Sequence, residues 1–128
     1  MGVPILKQGH CLIATIQAAL TDTDLQGLRD DLVAQVGRYR ARGVIIDITA
    51  LDVMDSFAVR TLRDIARMAR LRGAETVIVG IQPEVALSMV ELGLTLEGVN
   101  TALDLEEGLA CLDERTKRAN GGGEARAR

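Results

Sequence analysis

Aromatic residues are almost missing from this chain of 128: it has no tryptophan, and Tyr39 and Phe57 are its only aromatic rings. Base stacking and ring- or sugar-binding pockets therefore have little to work with. There is no excess of basic residues either. The formal net charge is −3, which argues against nucleic acid as a partner, because phosphate neutralisation supplies that affinity. Histidine occurs once, as His10, so a Ser–His–Asp triad has one remote candidate, and His10 reads as an exposed turn residue. Cys11 and Cys111 lie far apart without CxxC spacing and read as free thiols in a reducing compartment. No apolar run approaches the ~18–20 residues that cross a bilayer. The N-terminus lacks the basic-then-apolar pattern of a secretory leader. A cytoplasmic location with no membrane partner is the expectation. Neither GxGxxG nor GxxxxGK[ST] occurs, which removes the usual phosphate-binding loops.

What remains is an aliphatic chain with well-marked elements, 48% hydrophobic and of a length that suits one domain. Val3 to Leu6 and Cys11 to Ile16 read as two short strands around a turn at Gln8-Gly9. Thr21-Asp22-Thr23-Asp24 is a capping cluster. Behind it Leu25, Leu28, Leu32, Val36 and Tyr39 recur at helical spacing, and Gly43 is the expected stop. Val44 to Ile48 reads as a strand buried on both faces. A helix opened and capped by Ser56 follows, with Val59, Leu62, Ile65, Ala66 and Ala69 inward and Gly73 at its end. Thr76 to Ile81 is another buried strand, and Gln82-Pro83 starts a third helix that closes at Gly93. Val99 to Leu103 is the last strand. A final helix over Leu105 to Leu112 turns Leu105, Leu109 and Leu112 inward. Strands alternating with helices predict an α/β domain: a mixed β-sheet with an N-terminal β-hairpin and about four helices packed on it. The domain is expected over 1–116, and 117–128, glycine-rich and aperiodic, reads as a flexible tail.

Function has few places to sit. Of two serines, Ser56 and Ser88, only Ser56 stands at the carboxyl end of a buried strand and the mouth of a helix, where open α/β sheets present functional groups. A serine there can be a plain cap. Phe57 beside it offers an apolar contact to a partner, or a ring tucked against the sheet. Arg60, Arg63, Arg67 and Arg70, spaced at three and four, form a basic ridge one turn further on. The ridge is either a solvated flank, an acidic partner's dock, or, through Arg60, a reach to a phosphate on Ser56. Asp47, Asp52 and Asp55 cluster near the strand end, and a Mg²⁺-dependent nucleotide enzyme is the least favoured alternative they suggest, since turns and caps explain them as well.

At these residues the chain resembles the STAS domain family (sulphate transporter and anti-sigma factor antagonist). The likeness runs from about Val3 to Leu112 and centres on the strand ending at Asp47 and on Asp55-Ser56. Asp55-Ser56-Phe57, Gly80-Ile81-Gln82-Pro83-Glu84-Val85-Ala86, Glu91-Leu92-Gly93 and Leu103-Asp104-Leu105-Glu106-Glu107-Gly108-Leu109 are most similar to the RsbS-type stressosome scaffolds of bacteria. That resemblance implies a non-catalytic scaffold in a stress-response pathway. It sequesters a switch serine kinase of the RsbT type and releases it when phosphorylated on Ser56. Asp55, Ser56, Phe57, Arg60 and Arg63 are the implied contact residues. RsbR-type STAS paralogues are the implied assembly partners, in a homo-oligomer or a large hetero-oligomeric complex. Neither a cofactor nor a metal is implied, since ATP and Mg²⁺ belong to the kinase. The alternative is an anti-anti-sigma factor that binds an anti-sigma factor directly. Such factors commonly carry a small residue or second serine after the phosphorylatable one, and Phe57-Ala58 departs from that pattern.

Overall fold

The computed structural model describes residues 2–114; the expected tail at 117–128 lies outside them. Two short strands, β1 (Ile5–Gln8) and β2 (Cys11–Thr15), form the antiparallel hairpin, turning at Gly9 with φ +60°. Then α1 (Asp22–Tyr39), β3 (Gly43–Asp47), α2 (Ser56–Leu71), β4 (Glu75–Val79), α3 (Pro83–Glu91) and β5 (Asn100–Ala102) alternate, and residues 105–114 are helical (α4). The sheet order is β1-β2-β3-β4-β5, parallel from β2 to β5. The expected α/β architecture is therefore present, with β3 in the middle.

Neighbour-to-neighbour parallel crossovers of one hand place α1, α2 and α3 on one face. There Leu12, Ala14, Val44, Ile46 and Ile78 meet Leu28, Leu32 and Val36 of α1, Val59, Leu62 and Ile65 of α2, and Val85 of α3. The alternate residues Ile13, Ile45, Val77 and Val79 form the other face, under Leu109 and Leu112 of α4. Strands β3 and β4 are apolar without alternation because both faces are covered.

Four expectations need correction. The first helix ends at Tyr39 with Arg40 in the left-handed region (φ 50°), not at Gly43. Gly43 opens β3 instead, where an added Cβ would stand 2.7 Å from Leu112 Cδ1. Tyr39 does not face inward. It is exposed, with Lys7 Nζ and Arg38 Cζ 5.7 and 5.3 Å from its ring centre. Leu105 is exposed too, beside Pro4, Ile5 and Leu6 of the hairpin. α4 instead meets the sheet through Gly108, whose added Cβ would lie 2.7 Å from Val79 Cγ1. The fourth correction concerns Ser56, whose place in the site follows.

Candidate functional site

The central strand delivers its carboxyl end to a loop, 48–55, that leads into α2. Asp47 organises the loop's start: its Oδ1 accepts from the Thr49 N–H at 2.9 Å and from the Thr49 hydroxyl at 2.6 Å. The same threonine is held from the neighbouring strand. Gly80, at φ +77°, passes so close that an added Cβ would fall 1.9 Å from Thr49 Oγ1, and the Gln82 side-chain amide donates to the Thr49 carbonyl. The loop therefore leaves the sheet in a fixed direction.

Its far end is fixed by a cap, and the cap is Asp55, not Ser56. The Asp55 carboxylate accepts from the Ala58 N–H at 2.8 Å with extended backbone at φ −87°. Ser56 is the first helical residue, half-buried, and its hydroxyl makes no hydrogen bond within the protein among the described residues. Asp and Ser are equally good caps, so adjacency decided the matter only in three dimensions. The exchange frees the hydroxyl from structural duty. No acidic residue occupies the first turn of α2, so the positive end of the helix dipole has only the Asp55 cap against it. Removing that cap by Asp55→Ala is expected to cost about 1 kcal/mol, read as a lowered denaturation midpoint with unchanged slope.

An apolar pocket of about 130 Å³ opens beside this entrance, lined by Ile16, Leu20, Leu51, Met54, Ala58 and Leu62, with Asp55 and Val53 among its lining residues. Val53 is 61% exposed, whereas Phe57 is half-buried and its carbonyl accepts from the Thr61 hydroxyl at 2.8 Å. The exposed apolar side chain at the entrance is therefore Val53 and not Phe57. Its only sequence signal is an apolar side chain placed between two aspartates, Asp52 and the capping Asp55, in a polar loop.

The arginine ridge divides in two. Arg63 donates to the Thr95 carbonyl at 3.2 Å, and Arg70 donates to the Gly98 carbonyl and lies 3.8 Å from Glu75. These two hold the loop after α3. Arg60 and Arg67 are exposed and make no ion pair among the described residues. Asp47 and Asp55 are engaged by backbone donors, and among the described residues no three acidic, histidine or cysteine side chains gather as a metal site would need. The Mg²⁺ alternative thus loses the convergence it required. On the opposite side, burial pushes the Cys11 thiol above its ordinary range, and the Asp113 carboxylate adds to this. That favours the protonated, unreactive form. Among the described residues no helix is long and apolar enough to cross a membrane.

A helix-covered mixed sheet with a hydroxyl at the α2 entrance defines the class: the chain belongs to the STAS domain family, whose model matches residues 3–108. More particularly, it is similar to RsbS of Moorella thermoacetica, solved as a serine-to-glutamate variant, at 36% identity and TM-score 0.78 over 90% of this chain and 97% of that one. A chain of the stressosome, described as a signal integration and transduction hub, gives TM-score 0.73 at 36% identity, over 89% of this chain and 99% of that one. The RsbT co-antagonist protein RsbRA of Bacillus subtilis (strain 168) is 33% identical over 91 residues, which is 71% of this chain and 33% of the relative. The chain spans about a third of the length of the curated relatives it matches.

Proposed function

We propose that this chain is a non-catalytic, cytoplasmic partner-switching scaffold that holds an RsbT-like serine kinase and lets it go when Ser56 is phosphorylated. The observation that carries this is the division of labour at the α2 entrance: Asp55 caps the helix and lines an apolar pocket, and the hydroxyl of the next residue, Ser56, has no hydrogen-bond partner among the described residues. Likeness to RsbS and to proteins named RsbT co-antagonists supports the choice of partner, and likeness to a stressosome chain supports assembly with RsbR-type paralogues.

Phosphate brings about −1.5 to −2 charges. A helix N-terminus tolerates that charge, because unpaired N–H groups and the dipole face it. Arg60, one turn along the same stripe, is a ready counter-charge. The Moorella relative keeps the fold with glutamate in place of a serine, which supports tolerance of negative charge in such a domain. A docked partner does not tolerate it, since a hydrated dianion resists burial beside an apolar pocket and a carboxylate. In this reading Asp55, Ser56, Phe57 and Arg60 touch the kinase directly, while Arg63, being tied to Thr95, shapes the neighbouring loop.

The alternative, direct capture of an anti-sigma factor, is separated by titrating the full chain against a switch kinase and against an anti-sigma factor. Saturable binding to the kinase alone is expected. Binding to the anti-sigma factor alone would replace this function with the alternative.

A further inference from the structure

Charge is divided sharply along the last third of the sequence. Between Gly73 and Glu114 there are nine acidic residues and no lysine or arginine. The fourteen residues that follow, 115–128, have five basic residues against one acidic, Glu124. The acidic part also bears an uncovered apolar face. α3 buries only Val85 completely, while Leu87, Val90 and Leu92 are 59%, 77% and 58% exposed. That is a concentrated patch for so short a helix, and Glu84, Glu91 and Glu97 are exposed around it. Cover for such a face should be apolar in its stems and positive at its tips, which describes arginine and lysine.

The fold brings the two parts to the same end of the sheet. α4 finishes against the first residue of β3, where Leu112 leaves no room for a side chain at Gly43. Gly43 pairs with Glu75, the first residue of β4. Arg70 lies 3.8 Å from Glu75 and donates to the Gly98 carbonyl, in the loop that leaves α3. The point where residue 115 begins is therefore separated from that loop by two neighbouring strands. Fourteen residues span up to ~45 Å when extended, several times what this path needs. Attachment to the same chain also raises the local concentration of the basic segment far above that of a separate molecule.

We propose that the basic segment 115–128 of this chain docks on the exposed face of α3, its arginine and lysine stems over Val90 and Leu92 and its charges on Glu91 and Glu97. A macromolecule that binds this face must first displace the segment. The contact goes beyond the kinase switch and does not depend on it, since Ser56, its neighbouring pocket and Arg60 take no part.

Trypsin, which cuts after arginine and lysine, reads this docking directly. The test is timed digestion of the full chain, followed by mass spectrometry, at two protein concentrations about a hundredfold apart. Three forms are compared: wild type, Glu91→Gln with Glu97→Gln, and Val90→Ser. Wild type is expected to lose the segment about five- to tenfold more slowly than either variant, by the same factor at both concentrations. Cuts within 1–114 report unfolding in the same spectra. A variant that shows them faster than wild type is set aside, and the decision rests on the other, each substitution being at exposed positions. Equal rates in all three forms would overturn the contact. So would protection that survives both variants, which places the segment elsewhere, or protection that fades on dilution, which makes a second copy the occupant.

Discussion

Ser56→Asp is expected to weaken binding of the switch kinase by about ten- to a hundredfold, while Ser56→Ala binds as wild type and accepts no phosphate. The magnitude follows from leaving one poorly paired charge at a docking surface, a few kcal/mol, with each 1.4 kcal/mol worth about tenfold. Aspartate carries less charge than phosphate, so the lower part of the range is the safer expectation for the variant and the upper part for the modified protein. Stability should move little. Ser56 occupies the first position of α2, where an acidic side chain faces unpaired N–H groups and is favoured by the dipole. The two properties are separable by experiment: titration reads affinity, and denaturant unfolding reads the fold. An Asp variant that binds with wild-type affinity removes the charge argument. One that unfolds shows that the site is structural.

Gly80→Ala is expected to be the most damaging small substitution near the site, costing about 2–4 kcal/mol, which combines left-handed strain with overpacking. The backbone there has φ +77°, and the new methyl would lie 1.9 Å from Thr49 Oγ1 and 2.9 Å from Thr49 Cα. Thr49 has little freedom to retreat, because Asp47 holds its hydroxyl and Gln82 its carbonyl. Against a total stability of about 5–15 kcal/mol, this is a shift in melting temperature on the order of 10 °C. Gly93→Ala supplies the control. It has a similar φ of +67° but nothing within 4 Å of the added Cβ, so strain alone acts there, at about 1 kcal/mol. Equal losses at the two positions would show that the Thr49 contact is unimportant. Because Thr49 begins the loop that ends at Ser56, Gly80→Ala is also expected to lower kinase affinity.

The order of elements was legible because apolar spacing changes character sharply between β3, with Val44, Ile45 and Ile46 all buried, and α2, where Val59, Leu62, Ile65, Ala66 and Ala69 fill one face. Local signals failed where one residue type serves two purposes. Gly43 looked like a helix stop because glycine tolerates left-handed backbone, yet its value is the absence of a side chain under Leu112. Asp55 and Ser56 are adjacent and equally suited to capping, so sequence located the entrance to within a residue but not which side chain was left over. The apolar pocket was invisible, since Ile16 and Leu20 reach Leu51 and Met54 only after β2 and β3 pair. Spacing placed Arg63 and Arg70 on a stripe, but it carries no information about Thr95 and Gly98 across from them.

The most direct measurement is to incubate the chain with its switch kinase and ATP and map the product by mass spectrometry. A single phosphate on Ser56, with the kinase recovered unbound afterwards, is the predicted result. Phosphate placed elsewhere, or a kinase that stays bound to the Ser56-modified chain, would contradict the switch.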